Sequence, residues 1–71
     1  MKTATILNKT WKVKDLILIA STEEVKNLIS ELKKDPNCIP YDWRIAYDWI
    51  IAKEISDLEK ASFIYTLRLF S

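Results

Sequence analysis

The stretch Lys2-Thr3-Ala4-Thr5-Ile6-Leu7-Asn8-Lys9-Thr10-Trp11-Lys12-Val13-Lys14-Asp15-Leu16-Ile17-Leu18-Ile19-Ala20 decides how the chain is read. Thr3, Thr5, Ile6, Thr10, Val13, Ile17 and Ile19 are β-branched and Trp11 adds strand preference, so the segment reads as extended. Two hairpin registers compete. One turns at Asn8-Lys9 and pairs residues 3–7 with 10–20; the other turns at Lys14-Asp15 and pairs 5–13 with 16–20. Neither contains the Asn-Gly or Asp-Gly dipeptide that selects a two-residue hairpin. The first register is preferred, with a bulge accommodated near Asp15. The run Leu16-Ile17-Leu18-Ile19-Ala20 matches a short strand covered on both faces.

The next element carries clearer signals. Ser21-Thr22-Glu23-Glu24 fits a capping box, with Ser21 accepting from the Glu24 amide. Val25, Leu28, Ile29 and Leu32 follow at i, i+3, i+4 and i+7, one apolar stripe. Lys33 and Lys34 suit the negative end of the helix dipole. Asp35-Pro36 stops the helix, because the residue before proline is pushed out of the α region. The expected helix spans residues 22–34.

A loop at residues 36–40 leads to a second expected helix, from Tyr41 to about Lys60. Ser62 to Phe70 alternates Phe63, Tyr65, Leu67 and Leu69 with Ile64, Thr66, Arg68 and Phe70, which favours a strand over continued helix. The expected order is β-β-α-α-β. This is an α+β class chain: one domain over residues 1–71, an antiparallel sheet of about three strands and two helices on one face.

Within the second helix a hexapeptide repeats. Tyr41-Asp42-Trp43-Arg44-Ile45-Ala46 is followed at once by Tyr47-Asp48-Trp49-Ile50-Ile51-Ala52. Six residues advance a helix by about 600°, so Trp43 and Trp49 lie about 120° apart. Trp43, Tyr47, Ile51, Ile55 and Leu58 form a stripe expected to face the core. Ile45, Trp49, Ala52 and Ser56 form a second stripe. A helix with two apolar sides is buried on both or meets another chain.

Composition sets the limits on function. The chain has 71 residues, 49% hydrophobic, 30% charged, with net charge +1, no histidine, no glycine and one cysteine. Without glycine, neither GxxxxGK[ST] nor GxGxxG phosphate loops exist. Tight turns must then use negative φ, or place residues such as Asn8, Asp15, Asn37 or Asp35 in the left-handed region. Without histidine or a second thiol, the usual zinc sites and the commonest general base are missing, so no metal, cofactor or catalytic residue is expected. Cys38 lacks an imidazole partner and reads as an inert thiol. No apolar run approaches the roughly 18 residues of a membrane span. Met1-Lys2 precedes polar residues rather than a signal-peptide core, and a lone cysteine suits a reducing compartment, so a cytoplasmic location is expected.

Two classes of function follow as expectations. The first is a non-enzymatic protein-interaction module, inhibitor- or adaptor-like, binding another protein or a second copy of itself. Its surface is Tyr41, Asp42, Ile45, Asp48, Trp49 and Ala52, because Trp and Tyr bury much area at small entropic cost. Small proteins of this kind occur, by analogy, among viral and mobile-element accessories. The alternative is nucleic-acid binding through Lys9, Lys12, Lys14 and Arg68, since residues 1–20 carry net +3. Strand alternation would set Lys12 and Lys14 opposite Trp11 and Val13, and the pI is only about 7.8, so the nucleic-acid footprint is weak.

Overall fold

The computed structural model describes residues 1–34 and 43–70. In those residues the order is β1 (Thr3–Ile6), β2 (Lys9–Lys12), α1 (Val13–Ala20), α2 (Glu23–Lys33), α3 (Trp43–Ile51) and α4 (Asp57–Phe70). The class is α+β. The detail differs from β-β-α-α-β: the sheet has two strands rather than three, and four helices replace two among the described residues.

The hairpin forms at the N-terminal of the two competing registers, one residue earlier than expected. Thr3 pairs with Lys12 and Ile6 with Lys9, leaving Leu7-Asn8 as a two-residue turn. Both turn residues have positive φ, 57° for Leu7 and 61° for Asn8, as a type I′ turn requires. Asn8 meets the expectation of a left-handed asparagine. Leu7 is unforeseen, and as a branched side chain in that region it is strained. It is half-buried against the core, where burial offsets part of that cost.

The second strand ends at Lys12, and the run expected to continue it is helix α1. Val13 donates its backbone N–H to the Lys2 carbonyl at 3.2 Å. The first amide of the helix is thus satisfied by the hairpin, and Lys12 makes no side-chain cap. Leu16 is fully buried, with Val13, Ile19 and Ala20 half-buried beside it. Those positions are helically spaced. The β-branched residues masked this, because tertiary burial overrides local propensity.

A two-residue corner, Ser21-Thr22, joins α1 to α2. Thr22, not Ser21, is the N-cap: its side chain accepts from the Val25 amide at 3.4 Å. Ser21 instead donates its hydroxyl to the Leu18 carbonyl at 2.6 Å and closes the end of α1. The apolar stripe of α2 forms as read, with Val25 and Leu32 buried and Leu28 and Ile29 packed beside them. The loop at residues 36–40, with Cys38, lies outside the described residues.

The single helix expected from residue 41 to 60 is two helices. Residues 52–56 break it, and α4 starts with its own cap. The Ser56 hydroxyl accepts from the Glu59 amide at 3.2 Å and donates to the Glu59 carboxylate at 2.8 Å. Ser56 is therefore the N-cap of α4, and the Glu59 carboxylate holds its hydroxyl in place.

Residues 62–70 are helix, not strand. Helix α4 is the centre of the molecule, packing against α1, α2, α3 and β1. Ala61, Ser62, Phe63 and Ile64 are all fully buried, and Leu67 nearly so. A helix whose middle turn, residues 61–64, is buried all round shows no clear amphipathic stripe there, so its periodicity could not reveal it.

Candidate protein-binding surface

Helix α3 rests on α4 through Ala46 and Ile50, both fully buried. Neither belongs to the two stripes expected from sequence. The row Trp43, Tyr47, Ile51, Ile55, Leu58 advances mostly in fours. Each such step drifts about 40° around the axis, so the row winds off any one face. Tyr47 and Leu58 are half-buried, whereas Ile51 is 39% exposed. The break after Ile51 ends the row in any case.

The second stripe stays largely outside. Ile45 is 45% exposed, and Asp48 and Ala52 are exposed. Helical spacing places these three within about 60° of one another. Trp49 lies at the boundary between them and the buried face. One side of its indole meets Phe63, with ring centroids 6.4 Å apart at 46°. The Lys53 ammonium sits 4.0 Å from the indole centroid, a cation–π contact. Trp49 is thus half-buried, part of the core and part of the surface. Tyr41 and Asp42, the other members of the expected surface, lie outside the described residues.

The C-terminal end of α3 is tied to the start of α4. Ala52 donates to the Asp48 carbonyl at 3.2 Å and Lys53 to Ile50 at 3.0 Å. Lys60 reaches back to donate to the Ile51 carbonyl at 3.2 Å, placing a cation on the negative end of α3. The Ile45–Trp49–Ala52 face is therefore held on a fixed corner.

The basic residues are distributed differently from the sequence expectation. Lys9 shares the inward hairpin face with Trp11, as Ile6 pairs with Lys9 and Ala4 with Trp11. Its ammonium lies 5.8 Å from the Trp11 ring and 2.6 Å from an Asp57 carboxylate oxygen. Lys9 holds the Asp57 carboxyl below its ordinary value of 3.8, by hydrogen bond and then by charge. Trp11 donates its indole N–H to the Ile6 carbonyl at 2.8 Å, which fixes the ring over the hairpin. Lys12 lies on the outer face with Thr3, Thr5 and Thr10. Lys14 is exposed on α1 rather than in a strand beside Lys12, and Arg68 is exposed in the last turn of α4. The four cations thus belong to three elements.

Sequence reasoning missed a further apolar surface. Ile17 is 53% exposed and Leu18 65% exposed on α1. They had been assigned to a buried strand. A helical wheel over residues 13–20 groups Val13, Leu16, Ile17 and Ala20 on one side and leaves Leu18 out, so it would have revealed the exposure of Leu18 but not that of Ile17.

Among the described residues, no group of three or more His, Cys, Asp or Glu is placed to hold a metal ion. No described helix is long and apolar enough to cross a membrane. Comparison with known protein families, characterised proteins and solved structures returns no match for this chain.

Proposed function

We propose that this chain is a non-enzymatic, cytoplasmic protein-interaction module that binds another protein through the outer face of α3. Ile45, Asp48, Trp49 and Ala52 form the surface. The observation that carries the reading is the exposure of Ile45, at 45%, beside a tryptophan whose ring is only half covered. An aliphatic side chain and an indole edge on one rigid helix face supply the apolar centre that binding hot spots use. Asp48 gives the rim a negative charge and favours a partner with basic groups around an apolar pocket. The nucleic-acid alternative has less support, because Lys9, one of its four residues, is engaged by Asp57.

The test is affinity capture from the native cell with the wild-type chain and with Ile45→Glu, at low and high salt. Ile45 is exposed, so the variant should keep its helical circular dichroism while losing the captured protein. Capture unaffected by Ile45→Glu overturns the reading. Capture of nucleic acid that falls steeply with salt would assign function to the lysines instead. Trp49→Ala is the poorer probe, because loss of its contact with Phe63 also destabilises the fold.

A further inference from the structure

Helix α1 carries its own exposed surface, made of residues other than those of the α3 reading and independent of it. Lys14, Ile17, Leu18 and Ser21 are all exposed and, by helical spacing, share one outward face. Ile17 and Leu18 stand at its middle, 53% and 65% exposed. Its two ends differ in charge. Lys12 and Lys14 lie at the start of α1, and Glu23 and Glu24 open α2 directly after the Ser21-Thr22 corner. All four are exposed, and among the described residues none of them makes an ion pair within the chain.

We infer that this face is a self-association surface, on which a second copy of the chain lies with its α1 antiparallel to the first. A two-fold axis between Ile17 and Leu18 sets Lys14 of one copy opposite Ser21 of the other. Lys12 and Lys14 of each copy are then carried toward Glu23 and Glu24 of its partner. The segment before α1 and its first turn (Lys12, Lys14, Asp15) carry net positive charge and the first turn of α2 (Glu23, Glu24, Lys26) carries net negative charge, so two copies match at both ends only with their α1 helices antiparallel. A foreign basic or acidic partner would match one end and oppose the other. The pairing is isologous, so each charge contact occurs twice. Two aliphatic side chains fall short of the roughly 800 Å² per partner of a standard interface. The charged ends therefore make up much of the contact, and the dimer is salt-sensitive.

Sedimentation or light scattering over a concentration series tests this. The wild-type mass should rise from the 8.3 kDa monomer toward twice that value as concentration increases. Leu18→Glu, at a position too exposed to be needed for folding, should weaken association about tenfold or more. The double variant Lys12→Glu/Lys14→Glu and the double variant Glu23→Lys/Glu24→Lys should each be monomeric alone and should pair when mixed. A wild-type chain that stays monomeric up to about millimolar concentration overturns the inference. So does a dimer that survives Leu18→Glu, or a mixture of the two charge variants that does not pair. A dimer broken by Ile45→Glu and not by Leu18→Glu overturns it too, and would instead seat the second copy on α3. Loss of capture by Ile45→Glu with self-association intact would leave both surfaces standing, so the two readings fail separately.

Discussion

The Ser62 hydroxyl donates to the Leu16 carbonyl at 2.9 Å, across 46 residues of sequence and inside a fully buried contact between α4 and α1. It is the one buried polar side chain among the described residues, and its hydroxyl has its partner. Ala61 beside it is also small and fully buried, and residues of this size let two helix backbones approach closely. The hydrogen bond fixes which turn of α4 faces which turn of α1.

Replacing Ser62 separates these two roles. Ser62→Ala keeps the close approach and removes only the hydrogen bond, so it should cost about 1 kcal/mol. Ser62→Leu forces the helices apart and should cost about 3 kcal/mol or more. Urea denaturation would read both as lower midpoints at unchanged slope. Equal losses for the two variants would show that packing at this position has slack.

The Lys9–Asp57 pair predicts an acid-sensitive attachment of the hairpin to α4. Asp57 is held below its ordinary 3.8 by Lys9, so its contribution is fully present above that value. It is lost as pH falls through the lowered folded-state pKa. Both side chains are more than half exposed, at 56% and 55%, so the effect is modest and screened by salt. Melting temperature followed from about pH 6 to pH 2 should show the difference between wild type and Asp57→Asn shrinking toward zero. A difference that does not change with pH would remove the pair from the account.

The α4 cap gives a third expectation. Ser56→Ala loses the acceptor for the Glu59 amide and should cost about 1 kcal/mol. Ser56→Asp keeps an acceptor there and adds a charge favourable to the helix dipole, so it should retain most of the stability. Chemical denaturation of the two variants checks this. If Ser56→Asp were as damaging as Ser56→Ala, the cap would not be what starts α4.

How far the fold can be read from sequence depends on how many sides of each element are covered. Helix α2 is covered on one side, so Val25, Leu28, Ile29 and Leu32 show its period plainly. Helix α4 is covered on nearly all sides, so Phe63 and Ile64 are both buried and the period disappears. Its start was still legible. Ser56-x-x-Glu59 is the same Ser-x-x-Glu pattern that places the α2 cap at Ser21, one residue before the actual cap Thr22, and it lies inside the span expected to be one longer helix. The hairpin turn was displaced by one residue because a glycine-free chain uses Leu7 where positive φ would favour glycine or asparagine. On the candidate surface, sequence left open whether the stripe of Ile45 and Ala52 is covered or exposed, and both residues are exposed. Trp49 was not placed simply, because one face of its ring serves the core and the other meets Lys53. The exposure of Ile17 and Leu18 could not be seen while α1 was taken for a strand.

The position of α4 along the chain has a consequence for how the protein is made. Strand β1 and helices α1, α2 and α3 all pack against residues 57–70, and those residues leave the ribosome after the elements they gather. Until then Leu16, Val25, Leu32 and Ile50 have no common partner. Nascent chains halted before Asp57 should be cut readily by protease and should recruit holding chaperones, while chains extended past Phe70 and clear of the exit tunnel resist. Folding is therefore a late, single event that waits for one helix, and any pause ahead of that helix leaves an exposed apolar chain open to aggregation.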